Sequence, residues 1–156
     1  MTKSRKCAFF IKITSILLLL FLLPSCKDTR SAEDVLFNIT KDFDNLPDGS
    51  VYLSSAEEGS KKFLSVAMIN SLYHNGAAEY EFSLVEEYAI YISSFAKPCE
   101  IAVYKCYSAS DTDLIASMCH KRIEKLRVML AGTSFAEIID AADVEVKGRF
   151  VIVTMT

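Results

Sequence analysis

The sequence predicts an α+β domain: an antiparallel sheet of about four strands with helices packed on it, and an N-terminal signal segment outside the fold. Three observations predict it. Apolar residues recur at spacings of three and four in three separate segments, the mark of amphipathic helices. Between Phe82 and Ile92 they fall on alternate positions instead, as in a strand. Near the C-terminus two β-rich runs flank Lys147-Gly148, which reads as a hairpin turn.

Taken in order, Ser31-Ala-Glu-Asp34 reads as an N-cap with acidic residues in the first turn, and Val35, Leu36, Ile39 and Phe43 follow at helical spacing. Pro47-Asp48-Gly49 is turn chemistry that ends this helix. Val51-Tyr52-Leu53 fits either a strand or an extended crossing. Phe63, Leu64, Ala67, Met68, Ser71 and Leu72 predict a second helix that stops at Asn75-Gly76. Phe82, Leu84, Tyr88, Ile90 and Ile92 predict a strand near 83–93, its alternation broken only by Glu86.

Lys97-Pro98 marks a turn before a second strand near 99–107, carried by Glu100-Ile-Ala-Val-Tyr-Lys105. Asp111-Thr-Asp113 then opens a long helix, near 111–131, lined by Leu114, Ile115, Met118, Ile123, Leu126, Met129 and Leu130 and closed by Gly132. A short helical piece over Ser134–Asp140 leads to strands near 142–147 and 149–155. Their hairpin should place Val144, Val146, Val151 and Val153 on one face. Short loops in this order favour an antiparallel sheet covered by helices. There is no internal repeat.

Composition excludes several classes. With 156 residues, 51% of them hydrophobic and 24% charged, the chain suits a single domain and is not a disordered polymer. Five glycines and three prolines are too few for a collagen-like chain. Residues 1–25 hold four basic residues (Lys3, Arg5, Lys6, Lys12) and no acidic one; the remainder has 13 basic against 20 acidic, a net charge of −7. Phosphate binding needs a basic footprint, so nucleic acid is not an expected partner.

The N-terminus reads as an address. Basic residues occupy 1–12, and Ile13–Leu23 is an uninterrupted run of mostly apolar residues, the anatomy of a secretory signal. A transmembrane helix needs about 20 apolar residues, and Lys12 interrupts any such length. Leu23-Pro24-Ser25-Cys26 resembles the bacterial lipobox, with Leu and Ser fitting their positions and Pro24 an unusual occupant of the middle one. The thiol of Cys26 is then the group that takes the lipid as a thioether. Dual acylation anchors firmly where one acyl chain does not. The expected organisation is therefore a signal peptide over 1–25, a lipidated tether over 26–31 and one extracytoplasmic domain over 32–156.

Within that domain Glu87-Tyr-Ala-Ile-Tyr-Ile-Ser-Ser94, then Glu100–Lys105, a charged helix and Val146-Lys-Gly-Arg-Phe-Val-Ile-Val153 resemble a family of small bacterial lipoproteins, mainly of Firmicutes, that carry an extracytoplasmic domain of unknown function. The resemblance spans roughly residues 32–155. It implies a protein lipid-anchored on the outer face of the cell membrane, and it supplies no catalytic residues.

Candidate chemistry is sparse. His74 falls at a helix C-terminus, where its cation suits the dipole. His120 adjoins Cys119, but neighbouring helical residues point apart and cannot share a metal. The chain has no CxxC, HxxxH or HExxH, and no GxSxG, Walker loop or GxGxxG, so no metal, cofactor or catalytic residue is assigned. Glu86 and Glu87 are adjacent in a strand and face opposite sides. Asn38-Ile-Thr40 matches a glycosylation acceptor by coincidence in a bacterial lipoprotein.

Arg122 falls in the middle of the apolar arc of the long helix. The first expectation is that it snorkels past the helix edge with its stem on the core; the alternative buries it against Glu86. His120, Lys121, Lys125 and Arg127 make a solvated basic face. Cys99, Cys106 and Cys119 remain in the mature chain. Cys99 and Cys106 lie on opposite faces of one strand, and Cys119 is poorly placed for either, so three buried thiols without a disulfide are expected.

The leading functional class is a non-catalytic surface module that binds a protein, peptide or glycan. The rivals are a cell-envelope enzyme, for which a cleft gathering Tyr80, Tyr88, Tyr91, Tyr104 or the acidic residues would argue, and an accessory subunit of a membrane complex.

Overall fold

The computed structural model describes residues 29–73, 78–94 and 98–156. The predicted signal segment, Cys26, His74, the predicted Asn75-Gly76 helix stop and Lys97 lie outside the described residues. Among the described residues no helix is long and apolar enough to cross a membrane.

Helix α1 (Ala32–Thr40) begins at the predicted cap: Ser31 Oγ accepts the Asp34 N–H at 3.0 Å, and the Asp34 carboxylate accepts the Ser31 N–H at 3.3 Å. This reciprocal box satisfies two donors that a helix start otherwise leaves orphaned. The ambiguous run is a strand, β1 (Gly49–Leu53). Helix α2 (Val66–Tyr73) starts where Ser65 Oγ accepts the Met68 N–H at 3.3 Å, and Leu64 is buried just ahead of it. Then come α3 (Ala78–Ser83), β2 (Val85–Ser93), β3 (Glu100–Cys106), a 3₁₀ turn at Ala109–Asp111, α4 (Thr112–Leu130), α5 (Ala136–Asp140), β4 (Asp143–Lys147) and β5 (Phe150–Met155).

The five strands among the described residues form one antiparallel sheet in the order β1-β2-β3-β5-β4. The expected class holds, with one strand more than the approximate four, because Val51–Leu53 pairs with Ala89–Tyr91. The hairpin is as expected. Gly148 takes φ +62°, which suits a tight turn, and Val144 opposes Val153 while Val146 opposes Val151 on one face.

Two local expectations are corrected, and the break in alternation at Glu86 is explained. Phe82 and Leu84 do not open the strand, since Ala78–Ser83 is helical and the Ser83 hydroxyl donates to the Tyr80 carbonyl at 2.6 Å. The β2–β3 ladder shifts register between Val85 and Glu87, so Glu86 sits in a bulge that removes it from the apolar alternation. On α4, Leu114 and Met129 are exposed; the buried stripe is Ile115, Met118, Cys119 and Ile123.

The sheet is covered on both faces. Ala89, Tyr91, Ile101, Val103, Phe150 and Ile152 pack against Ala32, Val35 and Leu36 of α1. Ile90, Ala102, Tyr104, Cys106, Val151 and Val153 face the other helices, meeting Ile69, Ile115, Met118, Ile123 and Ile139. Every residue of β3 is buried, which explains its nearly unbroken apolar run. Cys99 belongs to the α1 core and Cys106 and Cys119 to the opposite one, and no disulfide joins any two of them.

Gly49 opens β1 because nothing larger fits. A Cβ there would meet the Ile92 carbonyl oxygen at 2.5 Å and the Tyr91 ring at 2.6 Å. Gly49→Ala should therefore cost about 1–3 kcal/mol, read as a lower urea midpoint. An unchanged midpoint would refute the close approach.

Candidate functional site

A connected group of buried polar side chains lies between the sheet and the α2/α4 layer. Arg122 projects from the buried stripe of α4, one helical turn from both Met118 and Leu126, and so must enter the core. Its partner is Glu100 at the start of β3, only 2% exposed. The guanidinium donates through Nε at 3.1 and 2.9 Å to the two carboxylate oxygens, and through Nη2 to Oε2 as well. Its remaining arm, Nη1, donates to the Leu72 carbonyl at 2.9 Å near the end of α2. This bidentate geometry is the one for which arginine suits a carboxylate.

Both earlier placements of Arg122 are thereby corrected. It does not snorkel, and it does not meet Glu86, which the bulge has turned outward. Glu86 instead accepts from Arg149 Nη1 at 2.6 Å, and that arginine also donates to the Cys106 and Tyr107 carbonyls at 3.1 and 3.3 Å.

Two tyrosines complete the cluster. The Tyr73 hydroxyl donates to Glu100 Oε1 at 3.3 Å and lies against the Tyr104 hydroxyl in a short hydrogen bond. The Tyr73 ring also sits 5.1 Å beneath the Arg122 guanidinium carbon, a cation–π contact. Tyr73 and Tyr104 meet edge-to-face, and Phe82 links them to Tyr88. Burial pushes both phenols well above their ordinary value, reinforced by the Glu100 charge at Tyr73 and by Tyr73 itself at Tyr104. Burial and Glu100 push the Cys119 thiol up in the same way, which leaves it a poor nucleophile. Burial opposes the charge on Arg122, but Glu100 outweighs it and holds the guanidinium protonated.

The space between Tyr73, Glu100, Cys119, Arg122 and Ile123 admits not even a water. The group is satisfied by its own members. It is built as a clamp joining β3, α2 and α4, without room for a substrate.

The opposite face carries a second device. Glu87 Oε2 accepts the Ala32 N–H at 2.9 Å at the start of α1, and its other oxygen accepts from buried Lys105 at 3.0 Å. Burial disfavours the carboxylate, but the Ala32 N–H, Lys105 and Arg149 together outweigh it and hold Glu87 below the ordinary glutamate value. Glu86 and Glu87 are thus kept apart, each with its own cation.

The other sequence candidates disperse. His120 is exposed on α4 beside the basic face and Cys119 is buried behind it. Tyr80 is exposed, and Tyr91 lies on the α1 side, donating to the Pro47 carbonyl, so no cleft gathers the tyrosines. Among the described residues no three metal-ligating side chains converge. A shallow polar depression of about 270 Å³ lies between Asp42–Pro47, Cys99 and Thr156 at the far end of the sheet. Glu100 was the residue sequence reasoning missed. Its even number puts it in phase with Ala102 and Tyr104, on the face that α4 covers, and that parity was the available signal.

No family model, curated protein or solved structure matches the chain.

Two outcomes follow. Arg122→Ala strands the Glu100 carboxylate in the core and should cost about 3–5 kcal/mol, a large share of a typical domain's stability; a loss below about 1 kcal/mol in urea titration would contradict the clamp. The second concerns alkaline pH. Tyr73 and Tyr104 keep their protons in the fold above the ordinary value of 10.0, whereas the unfolded chain sheds them there, so stability falls as pH rises past that point. Cys106, raised by burial from 9.0 to about 11, starts the decline earlier. The urea midpoint should hold to about pH 8.5 and then fall, less steeply above pH 10 in Tyr104→Phe; a midpoint flat to about pH 11 would contradict it.

Proposed function

We propose that the chain is an extracytoplasmic lipoprotein, held to the outer face of the cytoplasmic membrane by acyl chains on Cys26, whose α+β domain is a binding or interaction module and not an enzyme. The observation that carries the reading is the N-terminal order itself: a basic segment, an apolar run, Leu23-Pro24-Ser25-Cys26, and then a capped helix start at Ser31. A folded domain beginning five residues beyond the lipidated cysteine is what a short-tethered surface protein requires. The resemblance to small Firmicutes lipoproteins points the same way. The internal satisfaction of the Arg122–Glu100–Tyr73–Tyr104 group supports the non-catalytic part, because the side chains best suited to acid–base work are engaged with one another away from solvent. The partner is a protein, peptide or glycan met on the domain's exposed surfaces.

Expressed in a bacterium and fed labelled palmitate, the wild-type chain should take up label and be shortened. Cys26→Ala should take up none and accumulate at precursor size. Label retained by Cys26→Ala would overturn the lipid-anchor reading.

A further inference from the structure

A lipid on Cys26 would hold the domain close to the bilayer, because few residues separate the anchor from the first fixed contact. Thr29 is the first described residue, three positions after the lipidated cysteine, so their Cα atoms are at most about 11 Å apart. The chain is pinned immediately afterwards. Arg30 lies with its guanidinium carbon 5.8 Å from the centre of the Phe150 ring, Ser31 closes the capping box, and the Ala32 N–H is held by Glu87. The anchor therefore leaves from one defined end of the sheet.

That end is where β2 begins, β3 ends and the β4–β5 hairpin turns. Glu87 opposes Lys105, and both Lys105 and Lys147 oppose Phe150, so the tether's last contact sits beside the hairpin tip. Arg149 of that tip donates to the Tyr107 carbonyl at 3.3 Å, and Tyr107 is 63% exposed. An exposed tyrosine combines an apolar ring with a polar tip, the amphipathic character that suits the membrane–water interface. The opposite end holds Asp42–Pro47 and the C-terminal Thr156. The nine residues of β2 separate the two ends by about 30 Å.

We propose that the end of the sheet bearing Tyr107 and the Lys147–Arg149 hairpin tip is the membrane-facing surface of the domain, seated at the headgroup layer of the bilayer that holds the anchor. This rests on the lipoprotein reading and adds to it which surface is turned to the bilayer and which outward. Of the cations at this end, Lys105 is paired with Glu87, Arg149 with Glu86 and Lys147 with Glu145, while Arg30 lies over the Phe150 ring. The contact is accordingly set by the tether and by Tyr107, and it does not depend on anionic lipid. The Asp42–Pro47 end, with its polar depression, is then the surface presented to a partner.

The chain has no tryptophan, so a single introduced one reports its own surroundings. Tyr107→Trp and Asn45→Trp, both at exposed positions, are prepared as the lipidated full chain in vesicles of phosphatidylcholine brominated near the headgroup end of its acyl chains. Acyl mass on Cys26 and flotation with the vesicles report the anchor separately, and circular dichroism reports folding. The proposal expects the bromines to quench Tyr107→Trp and to leave Asn45→Trp at its fluorescence in unbrominated vesicles. Acylated, folded, floating protein in which Asn45→Trp is quenched as much as Tyr107→Trp, or in which neither is quenched, overturns the orientation alone. Protein with no acyl group on Cys26 overturns the anchor reading and the orientation with it.

Discussion

A charge on the apolar stripe of α4 is the constraint around which the helical layer is arranged. Arg122 cannot reach water without abandoning the packing of Met118, Cys119 and Ile123 beside it, and a guanidinium in a core must meet a carboxylate. Glu100 meets it from the central strand, and the leftover donor is absorbed by the Leu72 carbonyl. One side chain thereby fixes three elements that the chain visits far apart. A ring of aromatic residues, Tyr73, Phe82, Tyr88 and Tyr104, seals the clamp from solvent. Such a pair does not add much to stability over a well-packed apolar substitute. What it supplies is specificity, since any other register of α4 on the sheet would leave two charges buried and unmet.

The second face obeys the same logic with a smaller device. Glu87 satisfies an orphan N–H at the start of α1 and neutralises Lys105, the only cation of β3, in one step. The bulge at Glu86 is what allows both neighbouring glutamates to be used: without the extra residue, one would fall on the face that Tyr88 and Ile90 occupy. Because Glu87 holds the first helical residue, it also fixes how the chain enters α1.

Much of this was legible in the residues. The Ser31 cap, the alternation of β2, the Lys147-Gly148 hairpin and the opposite faces of Cys99 and Cys106 are local patterns, and local patterns survive into the structure. What failed was whatever depended on a tertiary partner. Phe82 and Leu84 fit a strand's alternation but belong to a helix and the turn after it, because the aromatic contacts of Phe82 with Tyr73 and Tyr104 are made from α3. Arg122 stands out as anomalous in the sequence, but neither snorkelling nor the alternative pairing with Glu86 survives, because the bulge between Val85 and Glu87 turns Glu86 away from that face. Glu100 opens its strand, and only the burial of all of β3 makes its carboxylate a core group.

The central claim is that Arg122 and Glu100 act as a unit, and a pair of double-mutant cycles tests it most directly. Arg122→Met and Glu100→Leu, singly and together, should show a coupling energy at the upper end of the range of about 0.5–3 kcal/mol found for residues in one network. The same cycle between Arg122 and Glu86 should be additive to within about 0.5 kcal/mol. Equal coupling in both cycles, or none in the first, would contradict the account.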